Sequence, residues 1–235
     1  MGRKPACVCL VSGGLDSAVA MAVARSRGFA CHAVSFEYGQ RHVAELAAAR
    51  RVCESLGAAG HRVVRLDPSA FAASALTGAM DVPKGRDGAE MARGIPATYV
   101  PARNTVFLAY ALALGETLGT GDLFIGVNAV DYSGYPDCRP GFIAAFSAMA
   151  NLATRAAVEG RIPVTVHAPL IELTKAEIIR LGASLGVDFS LTHSCYDPDS
   201  QGRACGECDS CAIRKRGFAE AGVEDPTRYS LKKRS

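Results

Sequence analysis

Short apolar runs alternate along this chain with longer segments in which apolar residues recur at helical spacing. The short runs are rich in β-branched residues and have strand length; they lie at residues 7–11, 31–36, 62–66, 123–127 and 162–166. The longer segments are rich in Ala or Leu and lie at residues 17–26, 44–56, 105–118, 141–158 and 174–185. This alternation predicts an α/β fold in which helices flank a mostly parallel sheet.

Two stretches interrupt the alternation. Residues 67–101 contain repeated Gly and Pro and are longer than an ordinary connection, which is typical of a functional lid or a partly disordered loop. The alternation ends near Gly186, and the remainder is built around cysteines. We therefore expect an α/β domain over residues 1–186 and a C-terminal metal-binding tail over residues 187–235.

The composition narrows the class of protein. The 235 residues are 49% hydrophobic and 21% charged, as in an ordinary globular protein, and the net charge of +3 is too small to indicate a nucleic-acid surface. The apolar run before Ser12 is too short for a signal peptide, and no stretch has transmembrane length. Nine cysteines, four of them within seventeen residues, fit free thiols and a metal better than disulfides. We expect a cytoplasmic protein that binds neither membrane nor nucleic acid.

The first strand leads into Ser12-Gly13-Gly14-Leu15-Asp16-Ser17, here called the glycine loop, and then into a helix. Glycines let backbone N–H groups approach phosphate oxygens, and the helix N-terminus adds partial positive charge. Asp16 would repel phosphate unless a cation bridged them, which indicates Mg²⁺. The loop is not a Walker motif, because no Gly-Lys-Ser/Thr follows. The alternative is a tight turn in which Asp16 or Ser17 only caps the helix.

Four cysteines near the C-terminus have metal-ligand spacing. Nine residues separate Cys195 from Cys205, and two residues separate each of the next pairs, Cys205 to Cys208 and Cys208 to Cys211. Four thiolates satisfy a tetrahedral Zn²⁺ and leave no open position, which favours a structural site. An iron–sulfur cluster or a disulfide pair is the alternative, and His193 is close enough to compete as a ligand. We interpret Cys7, Cys9, Cys31, Cys53 and Cys138 as buried small hydrophobes.

Three further segments are polar where a strand ends or a helix begins, which is where open α/β sheets bind ligands. Residues 37–42 follow the second strand and either line the nucleotide or form a plain loop. Asn104 precedes a helix and is interpreted either as its N-cap or as a site residue, with Arg103 solvated or paired to a phosphate. Residues 128–139 have the polar density of a recognition loop, in which a carboxylate could accept guanine-like N–H groups and a tyrosine could stack.

Thr174-Lys175-Ala176-Glu177 reads as a capping box, which explains Thr174 and Glu177. Lys175 is different, because a cation in the first helical turn opposes the macrodipole. A phosphate partner would explain it better than helix stability does.

Together these segments resemble the 7-cyano-7-deazaguanine synthase (QueC) family over nearly the whole chain, and the glycine loop resembles that of the ATP-pyrophosphatase superfamily. The resemblance implies an adenine nucleotide alpha-hydrolase-like fold, bound Zn²⁺ and a homodimer. It also implies a ligase that converts 7-carboxy-7-deazaguanine and ammonia to the nitrile in queuosine biosynthesis, using ATP with Mg²⁺.

The resemblance assigns residues to roles. It puts zinc on Cys195, Cys205, Cys208 and Cys211, and the ATP site on Leu10, Val11, Ser12, Gly13, Gly14, Leu15, Asp16, Ser17, Ala18, Val19 and Ala20. We expect Asp16, Arg103 and Lys175 to act in catalysis. We expect the substrate to contact Tyr38, Gln40, Asn104, Asp131, Tyr132, Tyr135, Asp137 and Arg139.

The chain departs from the family pattern at Gly141, where the family has a glutamate after Pro140. If that glutamate orients substrate or ammonia, its loss alters activity or substrate. The alternatives are a related adenylating ligase that acts on another carboxylate, such as a nucleobase precursor or a protein terminus, and a nucleotide-binding scaffold without turnover.

Overall fold

The sheet has five strands in the order β3-β2-β1-β4-β5, in a computed structural model that describes residues 4–40, 44–78, 80–91, 94–128 and 134–230. The strands are β1 (Ala6–Leu10), β2 (Ala30–Glu37), β3 (Gly60–Arg65), β4 (Asp122–Phe124) and β5 (Thr165–His167), and all four pairings are parallel. The predicted α/β class and parallel sheet are confirmed, with each strand within a few residues of its predicted position.

The helices are α1 (Leu15–Ser26), α2 (Ala44–Ser55), α3 (Gly88–Met91), α4 (Arg103–Leu118), α5 (Pro140–Ala153), α6 (Arg155–Val158), α7 (Lys175–Ser184) and α8 (Asp209–Ala221). The single helix predicted over residues 141–158 is wrong: Thr154 is extended, with φ −109° and ψ 141°, and separates α5 from α6. The sequence interpretation also missed α8 in the cysteine-rich tail. In the part of the chain that is described, no helix is both long and apolar enough to cross a membrane.

Helices cover both faces of the sheet. On one face α1, α7 and α8 bury side chains such as Met21, Ile178 and Phe218. On the other face α4 and α5 contribute Leu108 and Phe146 to a second apolar layer. The chain leaves β1 toward β2 and β3 and later returns to β4 on the other side of β1. This reversal puts a topological switch point between β1 and β4, where doubly wound sheets bind ligands at the carboxyl ends of the strands.

The long connection over residues 67–101 is folded where it is described. It contains a 3₁₀ turn at Pro68–Phe71, and the Ala75 N–H donates to the Ala97 carbonyl at 2.8 Å. Phe71 and Val100 are buried in the same apolar layer as α4. The sequence predicted a functional lid or a partly disordered loop here, and the described part packs beside the ends of β1 and β2.

Candidate active site

A cavity of about 240 Å³ opens at the carboxyl ends of β1, β2 and β4. The glycine loop lines one side and the start of α4 lines another, while residues 193–196 of the tail form a third wall. Seven of the expected ATP-site residues line this cavity: Leu10, Val11, Ser12, Gly14, Leu15, Asp16 and Ser17. The other four, Gly13, Ala18, Val19 and Ala20, do not line it; the last three are buried in α1.

Two glycines fix the shape of the glycine loop. Gly13 has φ +90°, and a Cβ there would lie 2.3 Å from the backbone oxygen of Glu45. A Cβ on Gly126, after β4, would lie 2.8 Å from the backbone carbonyl carbon of Asp16. Both separations are far below van der Waals contact, so α2 and the end of β4 pack directly on the loop backbone. The loop is held in one conformation by its neighbours.

The N-terminus of α1 faces the cavity without a side-chain cap. Gly14 is the N-cap residue, and no side chain caps it. The Ser17 hydroxyl instead donates to the Gly14 carbonyl at 2.9 Å and accepts from the Ser12 N–H at 3.2 Å. The alternative in which Asp16 or Ser17 caps this helix is therefore wrong. A helix N-terminus of this kind is suited to bind an anion.

Asp16 lines the cavity and forms an ion pair with Lys175, which is not among the lining residues. The Lys175 Nζ donates to both carboxylate oxygens of Asp16 at 2.7 Å, and the lysine side chain is only 13% exposed. A Cβ on Gly217 would lie 2.4 Å from the Lys175 Cγ, so the close approach of α8 to α7 holds the lysine stem. This ion pair explains a cation in the first turn of α7. The capping box of Thr174 and Glu177 beside it is confirmed.

Arg103, Tyr38 and Gln40 lie together at the end of β2. The Arg103 guanidinium donates to the Tyr38 hydroxyl at 3.2 Å, and burial raises the pKa of Tyr38. The Gln40 side chain accepts from the Tyr38 N–H and donates to the Phe36 carbonyl, both at 2.8 Å. All three predicted residues line the cavity, and the Gln40 amide also fixes the turn that presents Tyr38.

Asn104 is not an N-cap. That position belongs to Ala102, whose φ of +52° lies in the left-handed region that side chains other than glycine rarely adopt. The Asn104 N–H donates to the Asp137 carboxylate at 2.9 Å, and its amide donates to the Asp137 carbonyl at 3.1 Å. Asp137 is buried and outside the cavity lining, so it ties the start of α4 to the 3₁₀ turn Pro136–Cys138.

The remaining predicted substrate residues are spread over the recognition loop. Tyr135 lines the cavity, and its hydroxyl lies 2.8 Å from the Thr98 hydroxyl. Arg139 is the N-cap residue of α5 and is not among the lining residues. Asp131 and Tyr132 lie outside the described residues. Gly141 is exposed in the first turn of α5, has open space where a Cβ would be, and does not line the cavity.

Sequence reasoning missed Glu45, which lines the cavity from the first turn of α2. Burial raises the pKa of this carboxyl from 4.5 to about 7, and the charge of Arg103 opposes the rise. In the sequence, an acidic residue at the start of a helix is already explained by the macrodipole. Only the fold shows that this one faces a cavity.

The four C-terminal cysteines come together as their spacing predicts. The sulfur atoms of Cys195, Cys205, Cys208 and Cys211 all lie within 4.8 Å of one another. Backbone N–H groups donate to these sulfurs, including those of Cys205 to Cys195 Sγ at 3.2 Å and of Cys208 to Cys205 Sγ at 3.3 Å. Gly206 has φ +77° in the turn between ligands. Four converging sulfurs with N–H donors fit a tetrahedral thiolate metal site.

The cysteine cluster joins three parts of the molecule. The His193 N–H donates to the Gly13 carbonyl at 2.9 Å, so His193 lies at the glycine loop and not in the sulfur cluster. On the other side, Lys84 forms an antiparallel bridge with Cys208, and Arg86 pairs with Asp209. Since Cys195 itself lines the cavity, the cluster holds one cavity wall in place.

The other five cysteines are buried, as predicted. Cys7 and Cys31 are partners across β1 and β2, with sulfurs 3.7 Å apart, and the Cys9 sulfur is 3.7 Å from that of Cys7. These three thiols are at most 2% exposed and pack in the apolar core.

Comparison with known proteins identifies a matching family. The family model described as queuosine biosynthesis protein QueC matches residues 6–222. Three relatives are each named 7-cyano-7-deazaguanine synthase. The one from Desulfatibacillum aliphaticivorans is 62% identical over 227 residues, which is 97% of both chains. The one from Anaeromyxobacter sp. (strain Fw109-5) is 60% identical over 99% of this chain and 100% of the relative. The one from Myxococcus xanthus (strain DK1622) is 60% identical over 95% and 96%.

Proposed function

Because the chain belongs to the queuosine biosynthesis protein QueC family, we propose that it makes 7-cyano-7-deazaguanine from 7-carboxy-7-deazaguanine and ammonia, with ATP as the activating reagent. It is an enzyme of queuosine biosynthesis. The observation that carries the proposal is the uncapped N-terminus of α1 behind the glycine loop, facing the same cavity as Tyr38, Arg103 and Tyr135. An anion site and a cavity lined by both apolar and polar side chains meet there.

The reaction activates the same carbon twice. A carboxylate oxygen attacks the α-phosphorus of ATP, pyrophosphate leaves, and ammonia then displaces AMP to give the amide. The amide oxygen attacks a second ATP, and loss of AMP gives the nitrile. No protein nucleophile is required, because positioning and charge stabilisation can lower both barriers.

In this proposal the glycine loop binds the phosphates in both rounds. Its backbone N–H groups and the start of α1 face the cavity where the anion would lie. Asp16 and Lys175 neutralise each other in the ligand-free protein. With Mg-ATP bound, Asp16 would hold Mg²⁺ and Lys175 would pair with a phosphate oxygen, and these positive charges would offset the charge that develops on pyrophosphate.

The far side of the cavity takes the deazaguanine. Tyr38 and Tyr135 offer rings and hydroxyls, while Arg103 brings a positive charge next to the substrate carboxylate. Asn104 and Asp137 hold the start of α4 in place behind Arg103. Gln40 fixes Tyr38, and the recognition loop that includes Asp131, Tyr132 and Arg139 would supply the remaining contacts.

The cysteine cluster holds Zn²⁺ in this proposal. Its ligands are Cys195, Cys205, Cys208 and Cys211, and its role is structural, because four thiolates leave no position for water. The zinc would fix the described part of the tail, residues 187–230, against the glycine loop. Free thiols fit a reducing compartment such as the cytoplasm, and the homodimer is a further proposal from the family resemblance.

The test is one incubation of the purified protein with Mg-ATP, 7-carboxy-7-deazaguanine and ammonium, with products identified by mass. The proposal predicts the nitrile together with AMP and pyrophosphate. Pyrophosphate release only with a different carboxylate would favour the related ligase. ATP binding without pyrophosphate release from any carboxylate would favour the scaffold.

A further inference from the structure

Glu45 and Asp16 are the acidic side chains among the described residues that line the cavity. The two differ in their partners. Asp16 accepts two hydrogen bonds from Lys175, whereas no described residue donates a hydrogen bond to the Glu45 carboxylate. The Glu45 side chain is partly exposed and lines the cavity, so its carboxylate is accessible to a bound substrate.

Resting on the proposed function, we propose that Glu45 is the general base that removes protons from the substrate nitrogen in both rounds of activation. The nitrogen enters as ammonium with four protons and leaves in a nitrile with none. Four proton removals at one atom require an acceptor beside the reacting carbon.

Each of the two rounds of activation removes two of the four protons from the nitrogen. In the first round the C–N bond forms, the C–O bond to AMP breaks, and the oxygen of AMP takes the electron pair. The nitrogen loses two protons as ammonium becomes the amide. In the second round the amide oxygen bonds to the α-phosphorus of a second ATP and pyrophosphate leaves. Cleavage of the C–O bond then releases AMP, and the last two protons leave as the triple bond forms.

The position of Glu45 suits this role. Its backbone packs on Gly13, so the residue is adjacent to the glycine loop that would hold the phosphates. Its carboxylate interacts electrostatically with Arg103 and Tyr38, which face the proposed deazaguanine site. The activated carbon must lie between phosphates and ring. Glu45 therefore lines the part of the cavity where ammonia meets that carbon.

The pKa of Glu45 is consistent with a role as a base at this position. Burial raises the pKa of Glu45 to about 7, against the opposing charge of Arg103, so the carboxylate is a useful base near neutral pH. Among the described residues, Tyr38 also interacts electrostatically with it, and Asp16, Tyr135 and His193 line the same cavity. A purely structural role in the first turn of α2 would not affect the ratio of amide to nitrile.

The experiment compares Glu45→Gln with Glu54→Gln, the same change on the same helix but outside this cavity. Amide and nitrile are followed by mass at several pH values with total ammonium constant. We expect Glu45→Gln to slow both steps by about 10²-fold, with amide accumulating. Higher pH should restore amide formation, because more free ammonia is present, but not nitrile formation. Glu54→Gln should match wild type.

Glu45→Asp covers the case in which the glutamine variant does not fold. It keeps a carboxylate and should retain an intermediate rate with wild-type ATP binding and thermal unfolding. The assignment is wrong if a folded Glu45→Gln has wild-type rates and accumulates no amide. If only Glu45→Asp folds, the same result in that variant contradicts the assignment. Either result would leave the proposed function intact. A wild-type protein that makes neither amide nor nitrile would overturn both.

Discussion

Two walls of the same cavity are held by different forces. The glycine-loop wall rests on an apolar core that includes Val11, Leu15 and Val19, and on close backbone packing at Gly13. The tail wall, residues 193–196, is fixed by the cysteine cluster, whose own apolar neighbours are few, such as Val82 and Ala204. One wall therefore depends on burial of apolar surface, and the other would depend on the zinc proposed for the cysteine cluster.

The difference has a consequence for folding and function. A structural zinc contributes roughly 10 kcal/mol or more in small domains, comparable to the whole stability of a typical protein. Removing it should release the tail wall while the sheet stays folded. The cavity would then lose its tail wall but keep the glycine loop.

The largest expected effect comes from Cys208→Ser. We expect loss of zinc, loss of amide hydrogen-exchange protection over residues 193–211, and loss of turnover, with protection in β1 and α1 retained. Elemental analysis and hydrogen exchange would measure this. The control is Cys53→Ser, at a buried cysteine outside the cluster, which should keep full zinc content. Equal loss of protection in both walls would show that they are a single cooperative unit.

The next effect concerns the loop wall. Asp16→Ala should lower kcat/KM for ATP by about 10³-fold, or roughly 4 kcal/mol, because the pyrophosphate charge loses its bridge to the cation. Thermal unfolding without nucleotide should shift by only a few degrees. Lys175→Met should act on the same step, and the double variant should be less than additive. Near wild-type turnover in Asp16→Ala would remove Asp16 from phosphate chemistry.

Ionised Glu45 should lower the free energy of unfolding of the ligand-free protein above neutral pH. Its folded-state pKa of about 7 lies above the ordinary 4.5, so the folded state binds more protons between these values and stability falls as pH rises through them. Glu45→Gln should therefore unfold like wild type near pH 4 and be more stable above pH 7. We expect about 1–3 kcal/mol, allowing for partial solvent exposure of the side chain. Denaturant unfolding at both pH values measures it, and a pH-independent difference would contradict it.

The smallest effect is expected at Gly141. Because this position is exposed in the first turn of α5 and outside the cavity lining, Gly141→Glu should stabilise the helix by about 1 kcal/mol and leave kcat/KM unchanged within roughly twofold. A large gain in activity would instead place residue 141 at the substrate.

Local signals in the sequence were sufficient for the sheet, the glycine loop and the cysteine cluster. Apolar runs of strand length predicted all five strands, and the spacing of Cys205, Cys208 and Cys211 predicted that their sulfurs converge. Each of these features depends on residues close together in the chain, where periodicity and spacing carry the information.

The features that could not be predicted depend on contacts between residues far apart in the chain. Lys175 and Asp16 are 159 residues apart, and only the packing of α7 beside α1 shows that they form an ion pair. Asn104 looked like an N-cap because its partner, Asp137, comes much later in the chain. The cysteine spacing predicted a metal site but no helix α8, because the contacts of Gly217 and Phe218 with α7 and the core depend on residues distant in the chain.

Activation of the same carbon twice by adenylation can be tested with an oxygen isotope. The substrate 7-carboxy-7-deazaguanine, labelled with ¹⁸O in both carboxylate oxygens, is converted with unlabelled ATP, ammonia and water, and the AMP is analysed by mass. We expect two AMP per nitrile, each with one ¹⁸O in its phosphate. Release of the ¹⁸O label into water, or formation of a single AMP per nitrile, would contradict activation of the same carbon twice.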